Sequence, residues 1–253
     1  MSQHVPVRAF GGPTTQFSYG GLNFVTDPTF DAPGEYPVPN GQLVKTESPR
    51  GTVADLGRID VVLLSHPHPD HLDHAGRALL AEVPQVITTV SAADLGDHVT
   101  GLADFESIEL KRPDGGTVVV TAAPAVHGPG TREHVESVLG EVIGFVLTAD
   151  DLPSVYVSGD NASLDEVRKI ADRYAPVGTA ILFAGAPRAP LFDGQCIVLD
   201  SKQAAEAARL LDARQIVPVH YDGWAHFTEG RADLEAAFAV EGLADRLDWG
   251  RDD

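Results

Sequence analysis

Four histidines crowd into nine residues directly after a buried-strand pattern, and this feature constrains the chain more than any other. The apolar run Val61–Leu64 predicts a strand that is covered on both faces. The string Ser65–His74, with the sequence SHPHPDHLDH, follows that strand at once. Its two prolines favour an extended backbone, so His66 and His68 should point to the same side.

Asp70 and His71 are neighbours in the same string, so their side chains diverge and can reach a second point in space. Neutral imidazole and carboxylate are ligands that suit Zn²⁺, Mn²⁺ and Fe²⁺. The alternative interpretation is a solvated, histidine-rich surface turn. We disfavour it because the string begins directly at the end of a buried strand.

Three more metal-ligand side chains occupy the same kind of position, each at the end of a β-type run. They are His127, Asp160 and His220, and Gly159 permits a tight turn just before the aspartate. Taken alone, each has an ordinary structural explanation as a hydrogen-bonded or turn residue. Side chains that follow strands at one sheet edge converge, so the set predicts a shared site.

Short β-type runs alternate with helical segments along the chain, which predicts a layered α/β architecture. We find no interdomain linker and predict a single domain, 1–253. Residues 29–51 are rich in proline and glycine, and we interpret them as a long irregular loop of the kind that often forms a lid. The predicted strands are Val5–Phe10, Thr15–Tyr19, Leu22–Thr26, Val61–Ser65, Gln85–Thr89, Phe105–Leu110, Thr117–Ala122, Glu141–Thr148, Val155–Ser158, Thr179–Phe183 and Ile216–Val219; the predicted helices are Leu72–Ala81, Leu164–Tyr174, Ser201–Leu211 with Ser201 as N-cap, and Glu229–Val240.

Composition narrows the range of partners. The formal net charge of −19 opposes binding to nucleic acids and to anionic membranes. The one cysteine, Cys196, excludes an internal disulfide and a cysteine-based zinc cluster, and we expect it to be a packed residue. No apolar run is long enough to predict a membrane span, and Met1–Phe10 lacks the features of a signal peptide, so we expect a cytoplasmic protein.

The motif His66-x-His68-x-Asp70-His71, followed by the three later residues in the same order, resembles the metallo-β-lactamase superfamily. The segment Thr26-Asp27-Pro28 is similar to that family too, and the resemblance covers about residues 5–249. It implies a four-layer αββα sandwich with two divalent metal ions, zinc first and manganese or iron as alternatives, that activate a hydroxide for hydrolysis. The ligands that it implies are His66, His68 and His127 for one ion, and Asp70, His71 and His220 for the other, with Asp160 as a bridge.

The string Val219–Phe227, with the sequence VHYDGWAHF, resembles the subgroup that contains ascorbate-6-phosphate lactonase. The bridging Asp160 argues against a true β-lactamase. His226 is a candidate proton donor or oxyanion stabiliser, with an ordinary surface role as the alternative, and with Asp70 it forms our predicted catalytic pair. Trp224 either lines the pocket or packs in the core. Two residues of the first motif, Asp73 and His74, are candidates for orienting the ligands.

We hypothesise that the substrate is a small ester, lactone or phosphodiester. A phosphorylated substrate would need a cation, for which Lys45, Arg132 and Arg188 are candidates. A nucleic-acid phosphodiesterase is the alternative enzyme, although the acidic charge opposes it. A non-catalytic metal-binding regulatory protein is the alternative from another class. The pattern leaves the oligomeric state open.

Overall fold

Two six-stranded β-sheets form the centre of the computed structural model, which describes residues 4–39 and 41–250. The predicted domain of 1–253 extends beyond these ranges at both ends, and residue 40 of the predicted loop also lies outside them. In chain order the strands are β1 (Val7–Gly11), β2 (Thr14–Tyr19), β3 (Leu22–Thr26), β4 (Gly34–Val38), β5 (Gly41–Lys45), β6 (Val61–Leu63), β7 (Gln85–Thr89), β8 (Val99–Leu102), β9 (Ser107–Lys111), β10 (Thr117–Pro124), β11 (Ile143–Ala149), β12 (Leu152–Val157), β13 (Thr179–Phe183), β14 (Arg188–Ala189), β15 (Gln195–Cys196) and β16 (Gln215–Val219).

Five α-helices cover the outer faces of the two sheets or connect their strands. The strand order is β1-β2-β3-β6-β7-β8 in the first sheet and β16-β13-β12-β11-β10-β9 in the second. No helix in the described ranges is both long and apolar enough to cross a membrane. The helices are α1 (His74–Leu80), α2 (Arg132–Leu139), α3 (Leu164–Tyr174), α4 (Ser201–Leu210) and α5 (Arg231–Val240).

Three apolar cores hold the layers together. The central core lies between the sheets and includes Phe24 and Leu63 from the first sheet and Phe145 from the second, all fully buried. Leu79 of α1 belongs to the core on the outer face of the first sheet, and Phe238 of α5 to the core on the outer face of the second. Each such side chain contributes about 1.5–3 kcal/mol by leaving water. The predicted four-layer αββα sandwich is confirmed.

The strand directions bring the predicted site residues to one edge of the sandwich. Strands β3, β6, β7 and β8 run parallel, and so do β12, β13 and β16. The histidine-rich string follows the carboxyl end of β6, Asp160 follows β12 and His220 follows β16. A backbone hydrogen bond of 3.2 Å from the Ile143 amide to the Ser65 carbonyl joins the two sheets at this edge.

The interpretation of residues 29–51 as wholly irregular is wrong. Gly34–Val38 and Gly41–Lys45 pair as the antiparallel hairpin β4–β5. Proline normally disrupts a sheet because it lacks an N–H donor, but it is tolerated in an edge strand, and a two-stranded hairpin consists only of edges. Pro37 is therefore accommodated opposite Gln42.

Besides the hairpin, β8, α2 and the two-residue strands β14 and β15 have no counterpart among the predicted elements. Strand β8 is short and contains Gly101, which weakens a strand pattern. Helix α2 buries only Val135, so its apolar stripe is weak, although Thr131 caps its start by accepting a hydrogen bond from the His134 amide. The N-cap of α4 is Asp200, and the prediction of Ser201 as N-cap is wrong by one residue.

A buried ion pair fastens the hairpin to the start of α1. The Lys45 ammonium lies 3.1 Å from a carboxylate oxygen of Asp73 and 3.1 Å from the Thr29 carbonyl, and Lys45 is only 4% exposed. Burial lowers the pKa of Lys45, although the Asp73 carboxylate opposes that effect. Asp73 also caps α1, since it accepts a hydrogen bond from the Gly76 amide.

Replacing Lys45 with methionine keeps most of the buried volume but leaves the Asp73 carboxylate without a cation. We expect the free energy of unfolding to fall by about 3 kcal/mol, because removing one partner of a buried ion pair costs about 3–5 kcal/mol. Chemical denaturation at pH 7 measures this loss. The matched control is Lys202→Met at an exposed position of α4, which should change stability by less than about 0.5 kcal/mol. Equal stability of the two variants would contradict the anchoring role of Lys45.

Candidate metal centre

Three imidazoles meet at one end of the site: those of His66 and His68, which the spacing of the first motif places on one side, and that of His127. The His66 Nε2 and His68 Nδ1 atoms are 2.9 Å apart, and the ring of His127 lies 5.2 Å from that of His66 between centroids. The Nδ1 atom of His127 is 2.8 Å from the Ile197 carbonyl and donates to it, which leaves the Nε2 atom for the site. One nitrogen from each ring lies within 4.8 Å of the others, so the three can hold a metal ion together.

Asp160 lies between this group and the rest of the site. Its Oδ2 atom is 3.1 Å from His71 Nε2 and 3.5 Å from His127 Nε2, and its Oδ1 atom is 3.4 Å from His220 Nε2. The residue is 2% exposed. The carboxylate thus lies between His127 on one side and His71 and His220 on the other, the position that the resemblance implies for a bridging ligand.

The Asp70 carboxylate lies close to three imidazoles on the other side of Asp160. Its Oδ2 atom is 3.2 Å from His226 Nε2, 3.7 Å from His220 Nε2 and 3.9 Å from His71 Nε2. Asp70, His220 and His226 form one group whose ligand atoms lie within 4.8 Å of one another, and His71 forms another such group with His66 and Asp160, whereas the resemblance implies that His71 joins Asp70 and His220. All seven predicted ligands, together with His226, are therefore brought to one place, and their individual roles stay predictions.

Several buried polar atoms of this cluster make no hydrogen bond with any described residue. They are Asp160 Oδ1, both ring nitrogens of His220 and the Nδ1 atom of His226. Buried polar atoms nearly always have a hydrogen-bond partner. Several such atoms without partners in one cluster therefore need an explanation. Imidazole nitrogens and carboxylate oxygens in this arrangement suit Zn²⁺, Mn²⁺ or Fe²⁺. The residues present therefore fit a divalent metal ion.

Burial and mutual charge shift the pKa values of the cluster in directions that favour ligation. Burial, aided by neighbouring imidazoles, lowers the pKa of His66 well below its ordinary value, and burial lowers the pKa of His68 to about 4. Both rings are thus neutral at pH 7, which is the form that binds metals. Burial opposes ionisation of Asp70 and Asp160, but nearby imidazoles, His71 foremost, hold the pKa values of both carboxyls well below their usual range.

His71 differs from the other histidines of the cluster. Burial alone would lower its pKa, but the carboxylates of Asp160 and Asp70 outweigh burial and raise the pKa well above the ordinary value. The two carboxylates therefore favour the protonated imidazole when no metal ion is bound. A metal ligand must be neutral, so binding at this ring would release a proton and would weaken as the pH falls.

Asp27 contacts the site in a way that we did not predict, although Thr26-Asp27-Pro28 belongs to the resemblance. Its carboxylate accepts hydrogen bonds from the Ser65 amide at 2.6 Å, the Ser65 hydroxyl at 2.8 Å and His71 Nδ1 at 3.0 Å. The last contact fixes which nitrogen of His71 faces the site. The only signal in the sequence is an acidic residue at the end of a strand, which is also common in ordinary turns.

Two residues of the site adopt backbone conformations that side chains rarely favour. The φ angle of Asp27 is 35° and that of His220 is 55°. Such strain persists only where surrounding contacts impose it, and it is common at functional sites. For His220 one such contact is a hydrogen bond of 2.7 Å from its amide to the Gly12 carbonyl. Gly159 has to be glycine, because a Cβ atom there would lie 2.5 Å from the Ile143 carbonyl oxygen.

A cavity of about 390 Å³ opens onto this cluster. That volume lies within the range of small-molecule sites, about 300–1,000 Å³. Of the described residues that line the cavity, none is lysine or arginine. The lining comprises Pro37, Val38, Pro39, Leu43, His68, Pro69, Asp70, His127, Val138, Leu139, Asp160, Pro187, Leu191, Ile197 and His226.

The three cations predicted for phosphate binding lie outside that lining. Lys45 is buried in its pair with Asp73. Arg132 forms an ion pair of 2.8 Å with Asp104, and Arg188 donates to the Gly194 carbonyl at 3.1 Å. Each of the three side chains is held by its own local partners outside the cavity lining. The structure therefore does not support the predicted phosphate-binding role.

Other predicted residues lie beside the cluster rather than in it. Trp224 is 3% exposed and packs against Tyr36 of the hairpin with 5.3 Å between ring centroids, which favours the core-packing interpretation. Asp73 is occupied by Lys45 and the cap of α1, and His74 pairs with Asp31 at 2.9 Å. Among the described residues, neither Asp73 nor His74 makes a hydrogen bond that orients a predicted ligand. Cys196 is partly buried in β15 and burial raises the pKa of its thiol.

A comparison with known families identifies the family to which this chain belongs. A family profile described as "Beta-lactamase superfamily domain" matches residues 22–221, which is most of the chain. The chain belongs to the metallo-β-lactamase superfamily.

Curated relatives within the superfamily are named metal-dependent hydrolases. A UPF0173 metal-dependent hydrolase of Methanosphaerula palustris is 32% identical over 65% of this chain and 69% of its own length. One from Pyrococcus horikoshii is 26% identical over 67% of this chain and 70% of its own. This member of the metallo-β-lactamase superfamily is accordingly a metal-dependent hydrolase.

The fold is shared with solved structures. An isothiocyanate hydrolase from Delia radicum gut bacteria has a TM-score of 0.77 and 22% sequence identity. The match covers 95% of this chain and 94% of that one. At this level of identity the likeness shows the metallo-β-lactamase fold.

Asp27→Asn removes the negative charge that orients His71 while it keeps the size of the side chain. We expect zinc affinity to fall about 10–100-fold, the usual cost of losing a residue that supports a metal ligand. Competition with a chromogenic chelator measures the affinity. Asp60→Asn is a matched control, since Asp60 is also buried and accepts a backbone hydrogen bond from Asn23, but it does not line the cavity. An equal zinc affinity of the two variants would remove Asp27 from the metal centre.

Proposed function

We propose that this metal-dependent hydrolase uses two divalent cations, zinc first and manganese or iron as alternatives, to hydrolyse a small-molecule ester or lactone. The observation that supports it most is the convergence of seven imidazole and carboxylate ligands, with unpaired buried atoms, at the base of one cavity. His66, His68 and His127 would hold one ion, Asp70, His71 and His220 the other, and Asp160 would lie between them. Bound divalent ions supply a water of lowered pKa and polarise the oxygen of the bond to be cleaved.

The chain's own residues hold these side chains in the orientation that the reaction needs. Asp27 and the Ile197 carbonyl each bind the Nδ1 atom of an imidazole, in His71 and His127, so that the Nε2 atom faces the site. The apolar parts of the cavity lining exclude water from the side of the substrate that does not react. Orientation of this kind lowers the barrier because it is established before the substrate arrives.

His226 is our proposed proton donor, with Asp70 as its partner. The His226 side chain lines the cavity and is 22% exposed, and its Nε2 atom is 3.2 Å from Asp70. As the ester bond breaks, a protonated His226 would pass the proton on Nε2 from its contact with Asp70 to the leaving oxygen, and the imidazole would be left neutral. General acid catalysis of this kind contributes about 10²–10⁴-fold to the rate.

Hydrolysis of an isothiocyanate is a second candidate function. A structure that shares the fold is described as an isothiocyanate hydrolase, and the cavity here is lined largely by apolar side chains that suit a small uncharged molecule. Water would add to the central carbon of the –N=C=S group, and the products would be a primary amine and carbonyl sulfide. The seven ligands would serve both reactions, so a panel with both substrate types distinguishes the two.

Nucleic acids are the alternative substrate that the charge opposes most. A net charge of −19 repels a phosphate backbone, and no lysine or arginine is present among the described lining residues. Tight, salt-dependent binding of RNA by the purified protein would overturn this ranking.

Asp160→Ala tests the proposed two-ion centre. We expect less than half of the metal content of the wild type and a loss of at least about 100-fold in kcat/KM on esters, because the side chain contacts imidazoles on both sides. Elemental analysis and an ester panel give the two readouts, and circular dichroism checks the fold. Asp165→Ala, at an exposed position of α3, should match the wild type. Wild-type metal content and turnover in Asp160→Ala would contradict the proposal.

His226→Phe separates a proton donor from a metal ligand. If His226 donates a proton, kcat should fall about 10²–10⁴-fold while the metal content stays unchanged. A parallel fall in metal content would show that His226 is a ligand instead. His134→Phe, at an exposed position of α2, is the control for losing a histidine. Full activity of His226→Phe would remove it from the catalytic residues.

A further inference from the structure

The cavity has one polar end and a long apolar wall. Its polar lining consists of the side chains of the metal centre and His226, whereas the remaining lining residues are proline, valine, leucine or isoleucine. We infer that the substrate of this hydrolase carries an uncharged, apolar body, and that Val138, Leu191 and Leu43 determine how much of that body is bound. This inference rests on the proposed function and names the class of substrate for it.

The wall is assembled from three separate segments, which makes it a built surface. Leu43 comes from strand β5 of the hairpin, Val138 from α2 and Leu191 from the turn that follows β14. Behind the wall, Val135 of α2 and Phe192 of the turn belong to a small buried core of their own. The side chains on α2 and on the turn are therefore held in place before a ligand binds.

Exposed apolar side chains at the cavity supply a second, independent observation. Among the described residues, four large hydrophobic side chains are markedly exposed, and two of them, Leu191 at 55% and Val138 at 36%, lie at this cavity. Apolar surface left in water is unfavourable, by about 25 cal/mol per Å². A ligand with an apolar body would cover both side chains.

A charged body would be unfavourable in the same place. With no lysine or arginine among the described lining residues, a carboxylate or phosphate far from the metal centre would lose water and gain no cation. Burying an unpaired charge costs several kcal/mol. The ionised side chains that do line the cavity, Asp70 and Asp160, belong to the proposed metal centre, so the apolar wall itself supplies no charge that could pair with an anion.

The test uses metal-loaded protein and p-nitrophenyl esters of straight-chain acids from acetate to octanoate. Each reaction adds water across the ester bond and releases the acid and p-nitrophenol, which loses a proton to give p-nitrophenolate, the form that absorbs visible light. We expect kcat/KM to rise about fourfold per methylene until the cavity is filled, the factor that burial of one methylene gives. Esters of the same length that end in a carboxylate should react at least about 100-fold more slowly.

Two substitutions in the wall and one control test whether the wall causes this dependence on chain length. Val138→Lys and Leu191→Lys should flatten the dependence on chain length, because each places a charge where the apolar body lies. Val240→Lys on α5 is the control, since Val240 is 84% exposed and does not line the cavity. It should keep the wild-type dependence. A flat series in the wild type, or equal rates for the carboxylate-ended esters, would overturn the inference and leave the proposed hydrolysis intact.

Binding of the uncharged dye Nile red gives a readout that does not depend on turnover. The dye should become fluorescent with wild-type protein, should be displaced by 1-octanol, and should bind at least about tenfold more weakly to Leu191→Lys. Such binding without hydrolysis of any ester would support the apolar ligand and refute the proposed reaction. Binding that Leu191→Lys leaves unchanged would overturn the inference.

Discussion

The carboxylate of Asp27 is the interaction on which the rest of the site depends. It accepts hydrogen bonds from the amide and hydroxyl of Ser65 and from His71 Nδ1. The carboxyl end of β3 is thereby connected to the segment that follows β6. The Ser65 carbonyl in turn accepts a hydrogen bond from Ile143, which begins β11 of the other sheet. One short network thus fixes the histidine-rich string to both sheets.

The metal centre contains ionisable side chains that are buried away from water, which is unfavourable for a charged group without a partner. Asp70, His71 and Asp160 are all nearly fully buried, and none of them would be stable there alone. Their opposite charges compensate one another, which lowers the pKa values of the carboxyls and raises that of His71. Buried polar atoms without partners remain, at Asp160 Oδ1 and His220 Nε2. The fold therefore maintains a concentration of ligands that a divalent cation would satisfy.

Much of the fold and of the candidate site could be predicted from the sequence, because strand ends carry the key residues. The buried run before His66 and the alternation of His66 with His68 are local patterns, and the structure brings both rings together as expected. The hairpin β4–β5 could not be predicted, since Pro37 removes the usual strand signal. The apolar wall could not be predicted either, because it combines the hairpin, α2 and the turn around Leu191, which are far apart in the chain.

Lys45 is a further residue whose role could not be predicted from the sequence. A lysine in a proline-rich segment is usually a surface charge, and a phosphate-binding role was the functional alternative. Its buried pair with Asp73 depends on how the hairpin folds over α1, and only the tertiary structure shows this. Contacts that cross between distant segments decide such cases, and single-residue patterns do not contain them.

Anomalous diffraction from crystals of the zinc-loaded protein, collected at the zinc absorption edge, tests the central claim most directly. We predict two peaks on opposite sides of the Asp160 carboxylate, one within bonding distance of His66, His68 and His127 and the other within bonding distance of Asp70, His71 and His220. A single peak, or peaks confined to surface carboxylates, would contradict a two-ion centre built from these ligands.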